Sequence, residues 1–430
     1  MAGSSSESAP SAARNIYAFG ITSFLNDTAS EMAYWVLPAF LVSLGAGPAQ
    51  LGLIEGLAES VASFAKLFSG YLTDRIDRRK PLVVAGYVVA NAVKPLLAVV
   101  GAWWHILLIR FSDRLAKGVR GAPRDVMVAE SVPKERLGSA YGLIQSMDSA
   151  GAIAGPLAAL ALLTRYGIRG VFWAAAVPGA LCVTVALFGI RETKNPHPST
   201  SSGQAFSQRT REMGHPGHVP DQSNRDSEQK PAGASVASSG ALTGSFYTVL
   251  LAVTLFSLGN SSDMFLVMRA QNVGIPVALA PLLGLVFNIT YTLGSWPAGW
   301  FSDRFSRRGF SRRWIAAAGY LIFAAVYFVF GRAPSTLAIW ITMAVYGLYY
   351  ALTQPVLKAL IVETVGQDVR GRALGVYFFV TSLATLAASL ITGELWKHYG
   401  AGLPFYFSAV LAVLAALLLV TSPGRRSGET

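Results

Sequence analysis

Gly70-Tyr-Leu-Thr-Asp74-Arg75-Ile-Asp-Arg78-Arg79-Lys80 closes one long apolar run and leads into the next, and it returns in the second half of the chain as Gly299-Trp-Phe-Ser-Asp303-Arg304-Phe-Ser-Arg307-Arg308. Each copy places a glycine near the end of an apolar run, an acid four residues on, and then clustered arginines. Two copies so far apart imply a duplicated membrane unit.

Composition agrees with a membrane protein. The chain is 53% hydrophobic and only 13% charged, against about 25% charged residues in ordinary soluble domains. Apolar runs of about 20 residues recur, the length that crosses about 30 Å of hydrocarbon at about 1.5 Å per residue. A net charge of +12 could point to nucleic acid. The basic residues, however, sit mainly in short turns between apolar runs, where they orient a membrane protein, so no nucleic-acid partner is expected. The single cysteine, Cys182, excludes an internal disulfide and reads as a small packing residue. Residues 1–13 have neither a basic start nor an apolar core, so no cleaved signal is expected and the first span directs insertion.

The runs give twelve predicted spans, at 17–43, 49–73, 80–101, 103–128, 137–163, 170–190, 245–268, 278–301, 313–331, 335–359, 373–395 and 402–421. The predicted fold is all-α, with six-helix bundles at 17–190 and 244–421 and disordered tails at 1–16 and 422–430. Between the bundles, 191–243 is rich in Ser, Pro, Gly and charge and reads as a linker; His215-Pro-Gly-His218 within it lacks the further ligands a metal site needs. No metal or other cofactor is expected.

Arginine and lysine set the orientation. One side carries Arg75, Arg78, Arg79, Lys80, Lys134, Arg136, Arg304, Arg307, Arg308, Arg312, Arg313, Arg370 and Arg372, whereas the opposite short loops hold only Arg165, Arg169, Arg269, Arg332 and Lys397. The richer side, both termini and the linker are therefore expected in the cytoplasm, as in a multi-pass protein of a bacterial inner membrane.

The paired Gly-x-x-x-Asp-Arg-x-x-Arg-Arg turns, Gly70 to Arg79 and Gly299 to Arg308, resemble the loop signature of the major facilitator superfamily. The resemblance covers the chain outside linker and tails. It implies two six-helix bundles around a central cavity that opens alternately to either side, with the signature residues clamping the cytoplasmic helix ends. The chain departs from the signature at Asp77 and Ser306, where a second glycine is usual. Independently of the family, the acids and arginines of each copy can pair with neighbouring helix ends, and the glycine permits close helix contact.

Span 5 carries Gly142, Gly151, Gly155 and Pro156, a spacing that resembles the antiporter signature of proton-coupled drug exporters in this superfamily, closing on Ala159 and Leu160 instead of two glycines. Small residues at this spacing let helices approach, and proline bends the backbone. Span 4 reads Arg110-Phe-Ser-Asp113-Arg114-Leu-Ala-Lys117-Gly-Val-Arg120-Gly-Ala-Pro-Arg124-Asp125. At about 100° per residue its charges fall within about 140° of arc, and such a stripe must face protein or water. Arg114-x-x-Lys117-Gly118 also resembles the superfamily's helix-4 signature, whose arginine serves proton transfer.

Acids on neighbouring spans match this stripe. Asp27 and Glu31 lie four apart on span 1 with Tyr34 near the same line; Glu55, Glu59 and Lys66 form one stripe on span 2; Lys94 and Asp148 come from spans 3 and 5. A balanced ionic set suits proton coupling. Its expected members are Asp27, Glu31, Glu59, Asp148, Arg110, Asp113, Arg114 and Lys117. Glu55 reads either as part of the stripe or as exposed at the outer end of span 2, and Lys66 as a structural ion partner.

The second half is milder. Span 7 offers Asn260, Ser261, Ser262 and Asp263, span 8 Asn288 and Tyr291, and span 10 Tyr346, Tyr349, Tyr350 and Gln354. Of these, Asn260, Asp263, Asn288, Tyr291, Tyr346, Tyr350 and Gln354, with Tyr34 from span 1, are the candidate substrate cavity, suited to a partly apolar ligand, while Tyr377, Phe378 and Phe379 lie on an almost uncharged span 11. Two transporter readings follow: proton-coupled efflux of small molecules by a monomer in the bilayer, or import or exchange of a small anionic metabolite through the cationic stripe of span 4. No hydrolase, zincin, phosphate-loop or Cys-x-x-Cys motif supports an enzyme.

Overall fold

The computed structural model describes residues 8–73, 76, 78–132, 137–193, 244–307, 312–364 and 370–421. Twelve helical spans follow one another, and no strand occurs among the described residues. Span 1 is helical over Ser8–Tyr34 and Leu37–Ser43, so it begins well inside the stretch read as a disordered tail. Spans 2, 3 and 4 run over Pro48–Thr73, Lys80–Val93 with a 3-10 turn at Lys94–Val99, and Trp103–Glu130. Spans 5 and 6 share the run Leu137–Ala174, broken at Gly167 (φ 66°), and continue as Ala176–Gly189. Spans 7 to 12 are Gly244–Gly259 with Met264–Asn272, then Ala280–Arg307, Arg312–Arg332, Thr336–Glu363, Arg370–Tyr399 and Leu403–Thr421.

Span 8 holds one correction. The second signature copy reads as a turn in the sequence, but the helix carries on through Gly299, Asp303, Arg304 and Arg307. Nothing in Trp300 to Arg307 breaks a helix, so the turn can begin only beyond it.

The charge stripes leave a physical trace in the spans. Eight helical stretches among the described residues are long and apolar enough to cross a membrane by length and composition, and spans 1, 2 and 4 are not among them. Those are the spans that carry Asp27, Glu31, Glu55, Glu59, Arg110 and Arg114. Each mid-membrane charge costs about 2.5–3.5 kcal/mol on insertion scales. These three spans must therefore turn their charges inward.

The halves meet where span 2 packs on span 11 and span 5 on span 8. A Cβ on Gly52 of span 2 would strike the carbonyl of Ser389 on span 11, and one on Gly393 would come 2.7 Å from the carbonyl of Pro48. Ser60 donates to the carbonyl of Ser382 at 3.1 Å, and Asn288 of span 8 donates to the carbonyl of Ala152 of span 5 at 3.0 Å. Trp35 packs over Gly284, where no side chain could stand. Small residues here let backbones touch across the seam.

Candidate functional site

A cavity of about 630 Å³ lies between the halves. The N-terminal half contributes Glu31, Tyr34, Trp35, Glu59, Arg114 and Lys117; the C-terminal half contributes Asn260 to Asp263, Phe287, Asn288, Tyr291 and Tyr350. Two smaller polar crevices adjoin it inside the N-terminal half. One, of about 60 Å³, is lined by Asp27, Glu31, Arg110, Asp113 and Arg114 among others. The other, of about 250 Å³, is lined by Asp27, Glu59, Lys66, Arg124, Asp125 and Asp148 among others. Asp27, Glu31, Arg110 and Arg114 thus share one void, as the sequence predicts.

Span 1 brings the acids there because span 5 lets it approach. A Cβ on Gly151 would sit 3.1 Å from the Asp27 Cβ, and one on Gly155 would sit 2.7 Å from the Glu31 Cβ and 2.8 Å from the Thr28 carbonyl. Two of the signature glycines therefore seat the backbone directly behind the two acids. Gly142 has no heavy atom within 4 Å of a Cβ position, so its place in the spacing does nothing for packing. Glu31 accepts a 2.7 Å bond from the Trp35 indole, and Asp27 accepts one from Asn26 at 3.0 Å.

The charges of span 4 are mostly paired. Arg110 grips Glu55 with two 2.8 Å bonds, through Nε and Nη2. Arg114 lies 3.3 Å from Glu59, and Asp113 lies 3.7 Å from Lys94, whose ammonium also donates to Asn91 at 3.2 Å and Asn26 at 3.4 Å. Arg120 stands 4.6 Å over the Tyr87 ring, and Arg124 bonds Asp125. Lys117 is exposed to the cavities, and Lys66 makes no ion pair with a described residue, against its reading as an ion partner.

Glu55 corrects the reading of an exposed outer position: it is 1% exposed. Besides gripping Arg110 it accepts a 3.2 Å bond from Ser262 of the opposite half. The stripe on span 2 carries the only sequence signal for this, and the Ser262 contact has none, because the partners are 207 residues apart.

Span 7 unwinds over Asn260 to Asp263 before resuming at Met264. Asp263 holds the N-cap position of the second segment, yet its carboxylate does not cap that helix. It accepts instead from the Tyr346 hydroxyl at 2.6 Å and the Tyr350 hydroxyl at 3.3 Å. Tyr346 is fully buried behind the cavity wall rather than lining it. The Ser261 hydroxyl is buried beside the Tyr327 hydroxyl, the Asn260 Oδ1 is buried without a hydrogen-bond partner, and Asn260 donates weakly to Tyr349 at 3.5 Å. Asn288 turns to span 5, as above. Only the backbone of Gln354 is described.

At the basic end, Arg79 bonds Glu130 at 2.6 Å and Glu130 accepts from Thr193 at 2.6 Å. Glu192 takes the backbone N–H groups of Arg79 and Lys80, capping span 3. The signature arginine thus braces spans 3, 4 and 6 of one half, and Glu130 and Glu192 are partners the sequence does not reveal. Arg78 is exposed, and a Cβ on Gly70 would meet only Ala122 at 4.0 Å, so this glycine makes no close helix contact here. Asp74, Arg75 and Arg308, and the side chains of Asp303, Arg304 and Arg307, lie outside what is described.

Twelve spans, a two-half cavity and paired signatures describe one architecture, and the sequence profile of the Major Facilitator Superfamily matches residues 19–268 and 234–430. The chain belongs to the major facilitator superfamily. It is a secondary transporter of small molecules in a lipid bilayer, not an enzyme. It is 31% identical to an uncharacterised MFS-type transporter of Methanocaldococcus jannaschii over 95% of this chain and 94% of that one. It is 31% identical to the multidrug resistance protein MdtG of Escherichia coli over 43% of this chain and 46% of that one. A D-xylose–proton symporter shares the fold, with a TM-score of 0.70 at 16% identity over 98% of this chain and all of that one.

Proposed function

We propose that this transporter is a proton-coupled exporter of small molecules, working by alternating access as a monomer in a bacterial inner membrane with both termini in the cytoplasm. The supporting observation is the seating of Asp27 and Glu31 against Gly151 and Gly155, with Glu31 facing the central cavity and Asp27 facing the polar crevices of the same half. A carboxylate carried between wet and occluded surroundings changes its proton affinity, and neighbouring cations reverse the change. Asp148, Glu59 with Arg114, Asp113 and Lys117 give an incoming proton a short series of acceptors and counter-charges beside that pair. The partial likeness to MdtG favours export. The anionic-metabolite reading is weakened at its main residue, because the Nε–Nη2 edge of Arg110 already holds Glu55 and its Nη1 stands 4.0 Å from Asp113.

The test is flux in proteoliposomes under an imposed pH gradient. Asp27→Asn with Glu31→Gln is expected to abolish gradient-driven flux while the protein inserts and unfolds normally. Wild-type flux from the double variant would remove both residues from the mechanism and overturn the reading.

A further inference from the structure

Asp263 is a carboxylate with no counter-charge. Every other acid on the central cavity stands near a cation: Glu59 lies on Arg114, and Glu31 shares its crevice with Arg114 and Lys117. Among the described residues no lysine, arginine or histidine lies within 4 Å of Asp263, whose partners are two phenol hydroxyls. The cavity wall carries Glu31, Glu59 and Asp263 against Arg114 and Lys117, so it is one positive charge short.

The surroundings of this carboxylate are aromatic. Tyr350, which touches it, meets Phe287 edge-on with centroids 5.1 Å apart, and Tyr291 at 5.9 Å. Trp35 meets Phe287 at 6.4 Å and Tyr34 at 5.3 Å, closing the wall from the other half. One of these rings already accepts a cation, since Arg110 stands 5.5 Å over Tyr34. The unpartnered Asn260 Oδ1 belongs to the same unwound segment as the carboxylate, and that segment lines the cavity.

We infer that Asp263 and the rings of Phe287, Tyr291 and Tyr350 form the binding site for an organic cation, a substituted ammonium or an equivalent onium centre carried on an apolar body. Aromatic faces attract such a charge, and attract it more strongly when it is desolvated. The bound cation supplies the positive charge that the cavity wall lacks, and the carboxylate is its counter-charge. A volume of about 630 Å³ fits a drug-sized molecule. No group of three or more His, Cys, Asp or Glu side chains that could hold a metal ion occurs among the described residues. The cation docks on the C-terminal wall because Arg114 and Lys117 occupy the facing one. The inference rests on the central cavity being the substrate site of the exporter proposed above.

The test is equilibrium binding to purified protein in detergent, with tetraphenylphosphonium as cation and triphenylphosphine oxide as neutral comparator. Asp263→Asn keeps an oxygen for the Tyr346 and Tyr350 hydroxyls and removes only the charge. It is expected to weaken tetraphenylphosphonium at least about tenfold and to move the oxide by less than about twofold, with Asp263→Glu restoring most of the cation's affinity. If Asp263→Asn does not fold, Phe287→Leu serves, with an expected three- to tenfold loss for the cation alone, roughly. Equal loss for both probes, unchanged cation binding in a folded variant, or no cation binding by the wild type overturns the inference. No membrane or pH gradient is involved, so failure of proton coupling leaves this result standing, and a negative result here leaves proton-coupled export of neutral molecules untouched.

Discussion

The two halves share a fold and a signature and yet handle charge in opposite ways. In the N-terminal half acids meet bases: Glu55 with Arg110, Glu59 with Arg114, Asp113 with Lys94. In the C-terminal half the one acid on the cavity among the described residues, Asp263, meets phenols. Both halves interrupt the first helix of their repeat, span 1 between Tyr34 and Leu37 and span 7 between Gly259 and Met264. The interruption in span 1 turns Trp35 across the seam onto Gly284; that in span 7 turns Asp263 and Ser262 towards the cavity and Glu55. Duplication supplied equivalent backbones, and the side chains then divided the work. A paired network can pass protons without trapping an anion, whereas an unpaired acid among rings can select a cation.

The comparison can be broken most forcefully at Arg110. Arg110→Ala leaves Glu55 buried and unpaired, and should destabilise the protein by about 3–5 kcal/mol. Joint replacement with Glu55→Gln and Arg110→Met should recover most of that loss. Thermal unfolding of both variants in detergent measures it, and a mild effect of the single change would show that the pair is solvated rather than structural.

Next in size is the seam between spans 1 and 5. Gly155→Leu should force span 5 off Glu31 and cut gradient-driven flux more than about tenfold, because overpacking a close helix contact displaces the backbone. Gly142→Leu in the same signature should change flux by less than about twofold, since nothing stands within 4 Å of that site. Parallel flux assays separate the two; equal losses would mean that the spacing matters for a reason other than packing.

The smallest effect is expected where the halves touch through single hydrogen bonds. Ser262→Ala and Asn288→Ala each remove one bond across the seam, worth about 1 kcal/mol. The ratio of the conformer with this seam closed to the one with it open should fall about fivefold per variant. Accessibility of cysteines placed on the two faces of the cavity reads that shift, and no shift would assign the closure to the glycine contacts of spans 2 and 11 alone.

Several features were legible in the chain itself. Apolar length gave twelve spans, repetition of the Gly70 and Gly299 stretches gave two halves, and charges at helical spacing gave the ionic face of span 4. The span-5 glycines pointed to a tight contact, and Gly151 and Gly155 make it. These are local properties, fixed by periods of 3.6 residues and by the cost of charge in hydrocarbon. Which acid meets which base was not legible. Glu55 with Arg110, Arg79 with Glu130 and Ser262 with Glu55 are contacts between spans, and a helix-face argument stops at the edge of its own helix. The tertiary structure alone decided that Arg110 is neutralised and Asp263 is not, because pairing depends on distances of a few ångströms between segments that sequence spacing does not constrain.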